Sequence, residues 1–109
     1  MAQKVNIVID QGSSFNTIYT INDSYGLPMD LSLYTANSQM RKTYSSSNAY
    51  AFSASGNNSG VLVLSMNTTV TSTITAGRYV YDIELTSTAN SEVTRIIEGI
   101  VTVTPQVTR

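Results

Sequence analysis

Apolar side chains return at every second position in one segment of this chain after another. The segment AGRYVYDIELTS shows the pattern most clearly, because Tyr79, Tyr81, Ile83 and Leu85 alternate with polar or charged residues. Successive side chains of a β-strand point to opposite faces, so this spacing predicts a strand with one buried and one wet face. An amphipathic helix would instead repeat its apolar residues at intervals of three and four.

The same alternation, or a short apolar run, recurs in about seven segments that turn residues separate roughly every ten positions. The predicted strands are Val5–Ile9, Phe15–Ile21, Tyr34–Thr43, Ala49–Ser55, Val61–Met66, Arg78–Ser87 and Glu92–Thr104. This succession is typical of an immunoglobulin-like antiparallel β-sandwich. The sequence therefore predicts an all-β protein in which residues 1–109 form a single domain.

The composition agrees with an all-β fold and narrows the chemistry. The 109 residues include 15 Ser, 15 Thr and 9 Asn, and only 12% are charged. Histidine and cysteine are both absent, which removes the commonest general base and zinc ligand as well as thiolate chemistry. We therefore expect a protein that is not an enzyme, with no catalytic, cofactor-binding or metal-binding residues.

The charge pattern and the N-terminus narrow the range of partners. The net charge is −1 and the six basic residues are scattered, whereas nucleic-acid-binding domains usually show a basic patch. The apolar run before Asp10 is too short for a signal peptide or a membrane span. We expect synthesis in a cytoplasm and no binding to nucleic acid or membrane.

The segment Asn67–Gly77 is the one that alternation leaves open. Its residues, NTTVTSTITAG, suit either a further strand or a short helical crossover capped by Asn67 or Thr68. Both alternatives stand at the level of sequence.

Asp82 and Glu84 are the most obvious candidates for an acid pair. Two residues apart on a strand, they would lie about 7 Å from each other on one face, near the separation that glycosidases use. Catalysis would also need a cleft and two environments that separate the pKa values of the acids. The preferred interpretation is a solvated strand face.

Three smaller clusters also deserve an interpretation. Asn22, Asp23 and Asp30 supply too few oxygens for a calcium site. Arg41–Lys42 beside Tyr44 is interpreted as the basic end of an exposed strand rather than a phosphate site. Four tyrosines lie near predicted loops: Tyr25, Tyr34, Tyr44 and Tyr50. They serve either as interface anchors or as caps of the core, and the sequence does not separate these alternatives.

The start of the AGRYVYDIELTS segment resembles strand F of immunoglobulin-like domains. There a tyrosine stands two residues before a core position, and its hydroxyl bonds back to the preceding corner. By this resemblance Tyr79 is the corner tyrosine and Tyr81 fills the core position.

The chain as a whole resembles small immunoglobulin-like domains of tailed-bacteriophage virion proteins. Three stretches carry the resemblance: INDSYGLPMDLSLYTANSQMRK, AGRYVYDIELTS and VTRIIEGIVTVTPQVTR. The first also resembles, more weakly, the N-terminal domain of upper baseplate proteins of lactococcal-type phages. The resemblance implies a virion structural protein that acts in many symmetric copies, most simply by decorating the assembled head through the major capsid protein.

Other roles stay open at this stage. A baseplate, tail or neck component fits the same resemblance, and a carbohydrate-binding module with tyrosine platforms is the rival from another class. The two ends of the chain, Val5–Ile9 and Pro105–Arg109, are the predicted contact segments.

Overall fold

The computed structural model describes residues 3–22, 25–47 and 49–107, and this part of the chain is all-β. The strands are Gln3–Lys4 (β1), Ile7–Asp10 (β2), Phe15–Thr20 (β3), Tyr34–Arg41 (β4), Ala49–Gly56 (β5), Val61–Met66 (β6), Gly77–Ser87 (β7) and Val93–Thr104 (β8). A 3-10 turn at Leu31–Leu33 and a helix at Thr68–Thr71 (α1) complete the described elements. Every segment predicted to be extended overlaps one of these strands, with ends that differ by at most two residues.

The strands form one mixed sheet in the order β1-β8-β7-β4-β5-β6-β3, with β2 also paired to β8. The pairs β8-β7, β7-β4, β4-β5, β5-β6 and β6-β3 are antiparallel, as predicted. The first two strands run parallel to β8, so the expectation of a wholly antiparallel arrangement is wrong at this edge. A parallel pair needs a long crossover, and here almost the whole chain supplies it, which no local pattern could reveal.

The sheet curls at β5. The beginning of β5, Ala49–Phe52, pairs with β4, and its end, Ser53–Gly56, pairs with β6. We call β1, β2, β8, β7, β4 and the beginning of β5 the long-strand half, and the end of β5, β6 and β3 the short-strand half. The curl brings the halves together, and the Tyr19 hydroxyl on β3 lies 3.0 Å from the Tyr81 hydroxyl on β7.

The core lies between the inner faces of the two halves. The alternation of β7 is confirmed, because all four of its large apolar residues are buried. The predicted inner faces of β3 and β5 are also confirmed, since Tyr19 and Phe52 are buried and their same-face neighbours pack against the core. The buried apolar set is Ile9, Tyr19, Leu31, Met40, Phe52, Leu62, Leu64, Met66, Ile74, Tyr79, Tyr81, Ile83, Leu85, Ile97, Val101 and Val103.

The crossover from β6 to β7 is helical, which settles the alternatives for Asn67–Gly77. The Asn67 side chain accepts a hydrogen bond from the Val70 backbone N–H at 3.0 Å and caps the first turn of α1. The helix ends after one turn, as expected for a run of threonine and valine with poor helix propensity. Buried Thr71 donates its hydroxyl to the Ser13 carbonyl at 2.9 Å and fixes the crossover on the turn before β3. In the described part of the chain, no helix has the length and apolarity that a membrane crossing requires.

Candidate functional site

Charge is concentrated on the outer face of the long-strand half. The chain has thirteen charged residues, and eleven lie in the described part, because Asp23 and Arg109 fall outside it. Strand alternation and register place eight of these eleven on this one face: Lys4, Asp10, Arg41, Arg78, Asp82, Glu84, Arg95 and Glu98. We call this surface the charged face.

The acid pair of β7 lies on the charged face, as the alternation predicts. Arg95 Nε is 3.3 Å from Asp82 Oδ2, and Arg95 Nη1 is 3.3 Å from Glu98 Oε2. An irregularity in the register between Ile83 and Glu84 sets Glu84 opposite Arg95 on β8. Arg95 therefore compensates the acids of two strands, and both Asp82 and Glu84 are half-buried among their neighbours rather than fully exposed.

Tyr44 stands beside this network. It belongs to the loop from β4 to β5, and 76% of its surface is exposed. Tyr44 lines two shallow grooves on the charged face. The first has a volume of about 290 Å³ and is lined further by Gln39, Arg41, Val80, Tyr81, Asp82, Glu84 and Arg95. The second has a volume of about 310 Å³ and is lined further by Lys4, Asn6, Glu98, Gly99 and Ile100.

Arg41 and Lys42 both have partners inside the molecule. Arg41 donates through Nη1 to the Ser46 carbonyl at 2.6 Å and through Nη2 to Gln39 Oε1 at 3.1 Å, so it ties down the loop that carries Tyr44. The Lys42 ammonium lies 4.9 Å from the centre of the Tyr79 ring, within the range of a cation–π contact. The structure thus gives the pair roles in organising the Tyr44 loop and the beginning of β7.

Tyr79 and Tyr81 lie where the resemblance to strand F implied. The Tyr79 hydroxyl donates to the Thr75 carbonyl at 2.6 Å, which is the predicted bond back to the corner. Tyr81 is buried in the core, where its ring meets Phe52 edge to face at 6.1 Å. Burial raises the pKa of both phenols above the ordinary value for tyrosine.

A chain of hydroxyls crosses the core at Tyr81. Its hydroxyl donates to the Val5 carbonyl at 2.7 Å, so its single proton is used there and it accepts from the Tyr19 hydroxyl. Burial also raises the pKa of Tyr19. Neither the alternation nor the motifs indicated this contact, because Val5, Tyr19 and Tyr81 are far apart in the sequence.

The N-terminal contact segment Val5–Ile9 is docked on the sheet. Val5 donates its N–H to the Glu98 carbonyl at 2.9 Å, and the Asn6 side chain accepts from the Ile100 N–H at 3.0 Å. Ile9 is completely buried, so its side chain is committed to the core. Only the outer side of this segment is left for a partner.

The C-terminal segment leaves the sheet after Thr104, as proline at position 105 predicts. The Gln106 N–H donates to Gln11 Oε1 at 3.0 Å, and its side chain packs against Gly12. Val107 is exposed. Thr108 and Arg109, the end of the predicted contact segment, lie outside the described residues.

The four tyrosines near loops divide into two that cap the core and two that are exposed. Tyr34 and Tyr50 pack against the core as caps, and Tyr50 meets Tyr79 edge to face at 6.2 Å. Tyr25 and Tyr44 are exposed. Of the four, these two keep the solvent access that an interface anchor needs.

Of Asn22, Asp23 and Asp30, which supply too few oxygens for a calcium site, Asp23 lies outside the described residues. Asp30 caps the 3-10 turn by accepting a hydrogen bond from the Ser32 N–H at 3.0 Å. Within the described ranges, no group of three or more acidic, histidine or cysteine side chains is placed to hold a metal ion.

Comparison with known proteins finds similarity of fold alone. The chain matches no protein-family model and no curated protein sequence. The crystal structure of Listeria monocytogenes InlP matches with a TM-score of 0.52 and 13% identity over 94% of this chain and 28% of InlP. This chain thus spans little more than a quarter of InlP.

Two further structures match with lower scores. The NK cell receptor NKp44 has a TM-score of 0.49 and 14% identity, over 95% of this chain and 99% of the receptor chain. A family 123 glycoside hydrolase from Clostridium perfringens has a TM-score of 0.45 and 14% identity, over 97% of this chain and 24% of the hydrolase.

Proposed function

We propose that this protein is a non-enzymatic structural component of a tailed-bacteriophage virion that decorates the assembled head. One observation carries the proposal. The three stretches that resemble virion proteins contain β4, β7 and β8, which are adjacent in the sheet. These strands contribute six of the eight charged residues of the charged face. Segments distant in sequence thus build one continuous surface, which is the surface proposed to bind the capsid.

The chemistry of the charged face suits a specific protein contact. Its acids and bases are interspersed, so it offers complementary pairing to a mixed-charge partner rather than general attraction to a polyanion. Exposed Tyr44 lines both grooves of this face and adds an aromatic anchor, and Arg41 holds the Tyr44 loop in place. A baseplate, tail or neck partner would use the same surface, so the location on the particle has to be measured.

We also propose that the finer fold is an immunoglobulin-like sandwich. The order β8-β7-β4 followed by the beginning of β5 corresponds to one sheet of such a domain, and the end of β5, β6 and β3 to the other. The bond from the Tyr79 hydroxyl to Thr75 supports this assignment as a tyrosine corner. An experimental structure with the two halves stacked about 10 Å apart would agree with it, and a flat or barrel-closed sheet would contradict it.

The location is tested by immunogold electron microscopy of phage particles from the source of the chain, with an antibody against the recombinant protein. Label over the head facets is the expected result. Label restricted to the tail or its tip would replace decoration with the baseplate, tail or neck alternative. Particles without label would overturn the virion proposal.

The surface is tested by charge reversal in a particle co-sedimentation assay. Arg95→Glu breaks the central ion pairs of the charged face and should weaken binding at least about tenfold, as expected for loss of a complementary charge at an interface. Glu92→Lys is the matched control, because Glu92 lies exposed in the turn between β7 and β8. Equal binding by both variants would exclude the charged face as the contact.

One observation also favours a carbohydrate-binding function. Exposed Tyr44 lines a groove together with Gln39, Asp82 and Arg95, which combines an aromatic platform with hydrogen-bonding side chains. A glycan array would then show ligands that Tyr44→Ala loses and that Tyr25→Ala keeps, since Tyr25 is also exposed but does not line either groove. An array without a ligand would exclude this candidate.

A further inference from the structure

The outer face of the short-strand half differs from the charged face in having no charge among its described residues. Its side chains are hydroxyls, amides and aliphatic groups, and they come from alternate positions of three strands: Asn16, Ile18, Thr20, Ser53, Ser55, Val61, Val63 and Ser65. Ile18 is the most prominent of the aliphatic residues, with 63% of its surface exposed. We call this surface the uncharged face.

The uncharged face ends at β3, which is an edge strand. Within residues 3–22, 25–47 and 49–107, β3 pairs with β6 and with no other strand. Residues of the two strands lie opposite one another in the antiparallel register Phe15↔Met66 to Thr20↔Val61. The next pair of this register is Ile21 opposite Gly60, and the Ile21 N–H donates to the Gly60 carbonyl at 2.7 Å.

That hydrogen bond determines which residues of β3 point outward. In an antiparallel ladder, hydrogen-bonded and non-hydrogen-bonded pairs alternate. Since Ile21 is in a hydrogen-bonded pair, the odd-numbered residues of β3 bond to β6. The N–H and C=O groups of Asn16, Ile18 and Thr20 therefore point away from β6, toward the free edge.

This edge lacks the features that normally keep edge strands apart. Proteins protect such edges with charged side chains, proline, bulges or very short strands. β3 has six residues, FNTIYT, without a charge or a proline, and its register with β6 is regular. At the opposite edge, β1 and β2 carry Lys4 and Asp10.

We propose that β3 pairs with β3 of a second copy of this chain, antiparallel about a two-fold axis at Ile18. In this register Ile18 lies opposite Ile18 of the other copy, and Asn16 lies opposite its Thr20. The three outward residues of each copy would exchange about six backbone hydrogen bonds. The pairing is self-complementary, and no like charges meet across the axis, which is why the occupant is a second copy.

The pairing extends the uncharged face and spares the charged one. A two-fold axis perpendicular to the sheet places the outward side chains of both copies on the same side. The uncharged faces then form one surface of six strands, while both charged faces stay free for another partner. The inference is thus independent of where the protein acts, although a multi-copy assembly would strengthen a weak contact by raising its effective concentration.

Self-association is tested by sedimentation equilibrium of the full chain. A short edge contact is smaller than a standard protein interface, so we expect dissociation constants of roughly 0.1 to 1 mM. Ile18→Lys places two ammonium groups against each other at the axis and should weaken association at least about tenfold. Val8→Lys is the matched control, because Val8 is 59% exposed on the outer face of β2. Circular dichroism of both variants verifies folding.

A crosslinking experiment tests the register itself. The chain has no cysteine, so Ile18→Cys introduces a single thiol. Residues facing one another in a hydrogen-bonded antiparallel pair have Cα atoms about 5.5 Å apart, which suits a disulfide. With oxidised glutathione, Ile18→Cys should form covalent dimers faster than Val8→Cys. Equal association of the two lysine variants, or equal crosslinking of the two cysteine variants, would overturn the pairing and would leave the particle-binding proposal untouched.

Discussion

The edge formed by β1 and β2 and the edge formed by β3 belong to the same sheet but are held differently. At the first edge, side chains supplement the ladder: Asn6 bonds to the Ile100 N–H, and the Thr104 hydroxyl bonds to Asp10 at 2.7 Å. β3 itself has no charged side chain, and its outward groups face an edge with which no other described strand pairs. Side chains thus fasten the first edge to β8, and the charged residues Lys4 and Asp10 lie on it, whereas β3 is an edge strand without a charge.

The two edges are nevertheless joined through the core. Tyr19 extends inward from β3 and donates to Tyr81 on β7, which donates to the Val5 carbonyl between β1 and β2. Gly99 on β8 makes this approach possible, because a side chain there would occupy the place of the Val5 carbonyl. The comparison teaches that stability at the first edge depends on a few buried atoms, which single substitutions can remove.

Gly99→Ala should have the largest effect on that edge. Its Cβ would overlap the Val5 carbonyl oxygen and lie 2.8 Å from the carbonyl carbon, and backbone cannot easily move away. Overpacking of this kind costs about 3 kcal/mol of unfolding free energy, which urea denaturation measures. Gly26→Asn is the control, because a Cβ at Gly26 meets nothing and asparagine tolerates its positive φ. Equal losses in the two variants would contradict the close docking of Val5.

Tyr81→Phe should have the next largest effect. The change keeps the ring but leaves the Tyr19 hydroxyl and the Val5 carbonyl without their partner in a buried site. Leaving such groups unpaired costs about 2 kcal/mol, again measured by urea denaturation. Tyr44→Phe removes the hydroxyl of an exposed tyrosine and should change stability by less than about 0.5 kcal/mol. A Tyr81→Phe variant as stable as Tyr44→Phe would show that the hydroxyl chain does not hold the edge.

The features of the fold that could be predicted from the sequence are those that depend on residues close together in the chain. The period of two identified the strands and the inner faces, because it depends only on residues within one strand. The bond of the Tyr79 hydroxyl back toward the preceding residues was implied by the resemblance to strand F, and its partner Thr75 is only four residues away. The parallel direction of β1 and β2 was missed, because it follows from pairing with β8, which lies some ninety residues later in the chain.

The candidate site was predictable to the same extent. Alternation put Asp82 and Glu84 on an outer face, which is where they lie. Their partner Arg95 was not predicted. The register between β7 and β8 shifts after Ile83, which sets Glu84 opposite Arg95, and no local sequence pattern marks that shift. Tyr44 was named among the loop tyrosines that serve either as interface anchors or as caps of the core, without any indication that it lines a groove together with these acids.

Alkaline pH should weaken the link between the two edges. Burial raises the pKa of Tyr19 and Tyr81 above the ordinary value, so the folded protein keeps protons that the unfolded chain releases above about pH 10. The stabilisation is therefore complete below that pH and is lost as the pH rises beyond it. The unfolding free energy should fall by about 1.4 kcal/mol per pH unit for each tyrosine that ionises only on unfolding. Urea denaturation at several pH values above about 10 measures the slope of the unfolding free energy against pH. If the double variant Tyr19→Phe/Tyr81→Phe has the same slope as the parent chain, other groups cause the pH dependence.

Arg95→Ala should have the smallest effect, although Arg95 makes both ion pairs of the charged face. The pairs are partly exposed, with 47% of the Arg95 side chain and 34% of the Asp82 side chain accessible. Exposed pairs of this kind contribute about 0.5 kcal/mol, and added salt should reduce the difference between Arg95→Ala and the parent chain. Arg95→Lys is the control that keeps the charge but cannot reach Asp82 and Glu98 together in the same geometry. A loss as large as that of Tyr81→Phe, or one insensitive to salt, would mean that the charged face holds the fold together rather than leaving its charges available to a partner.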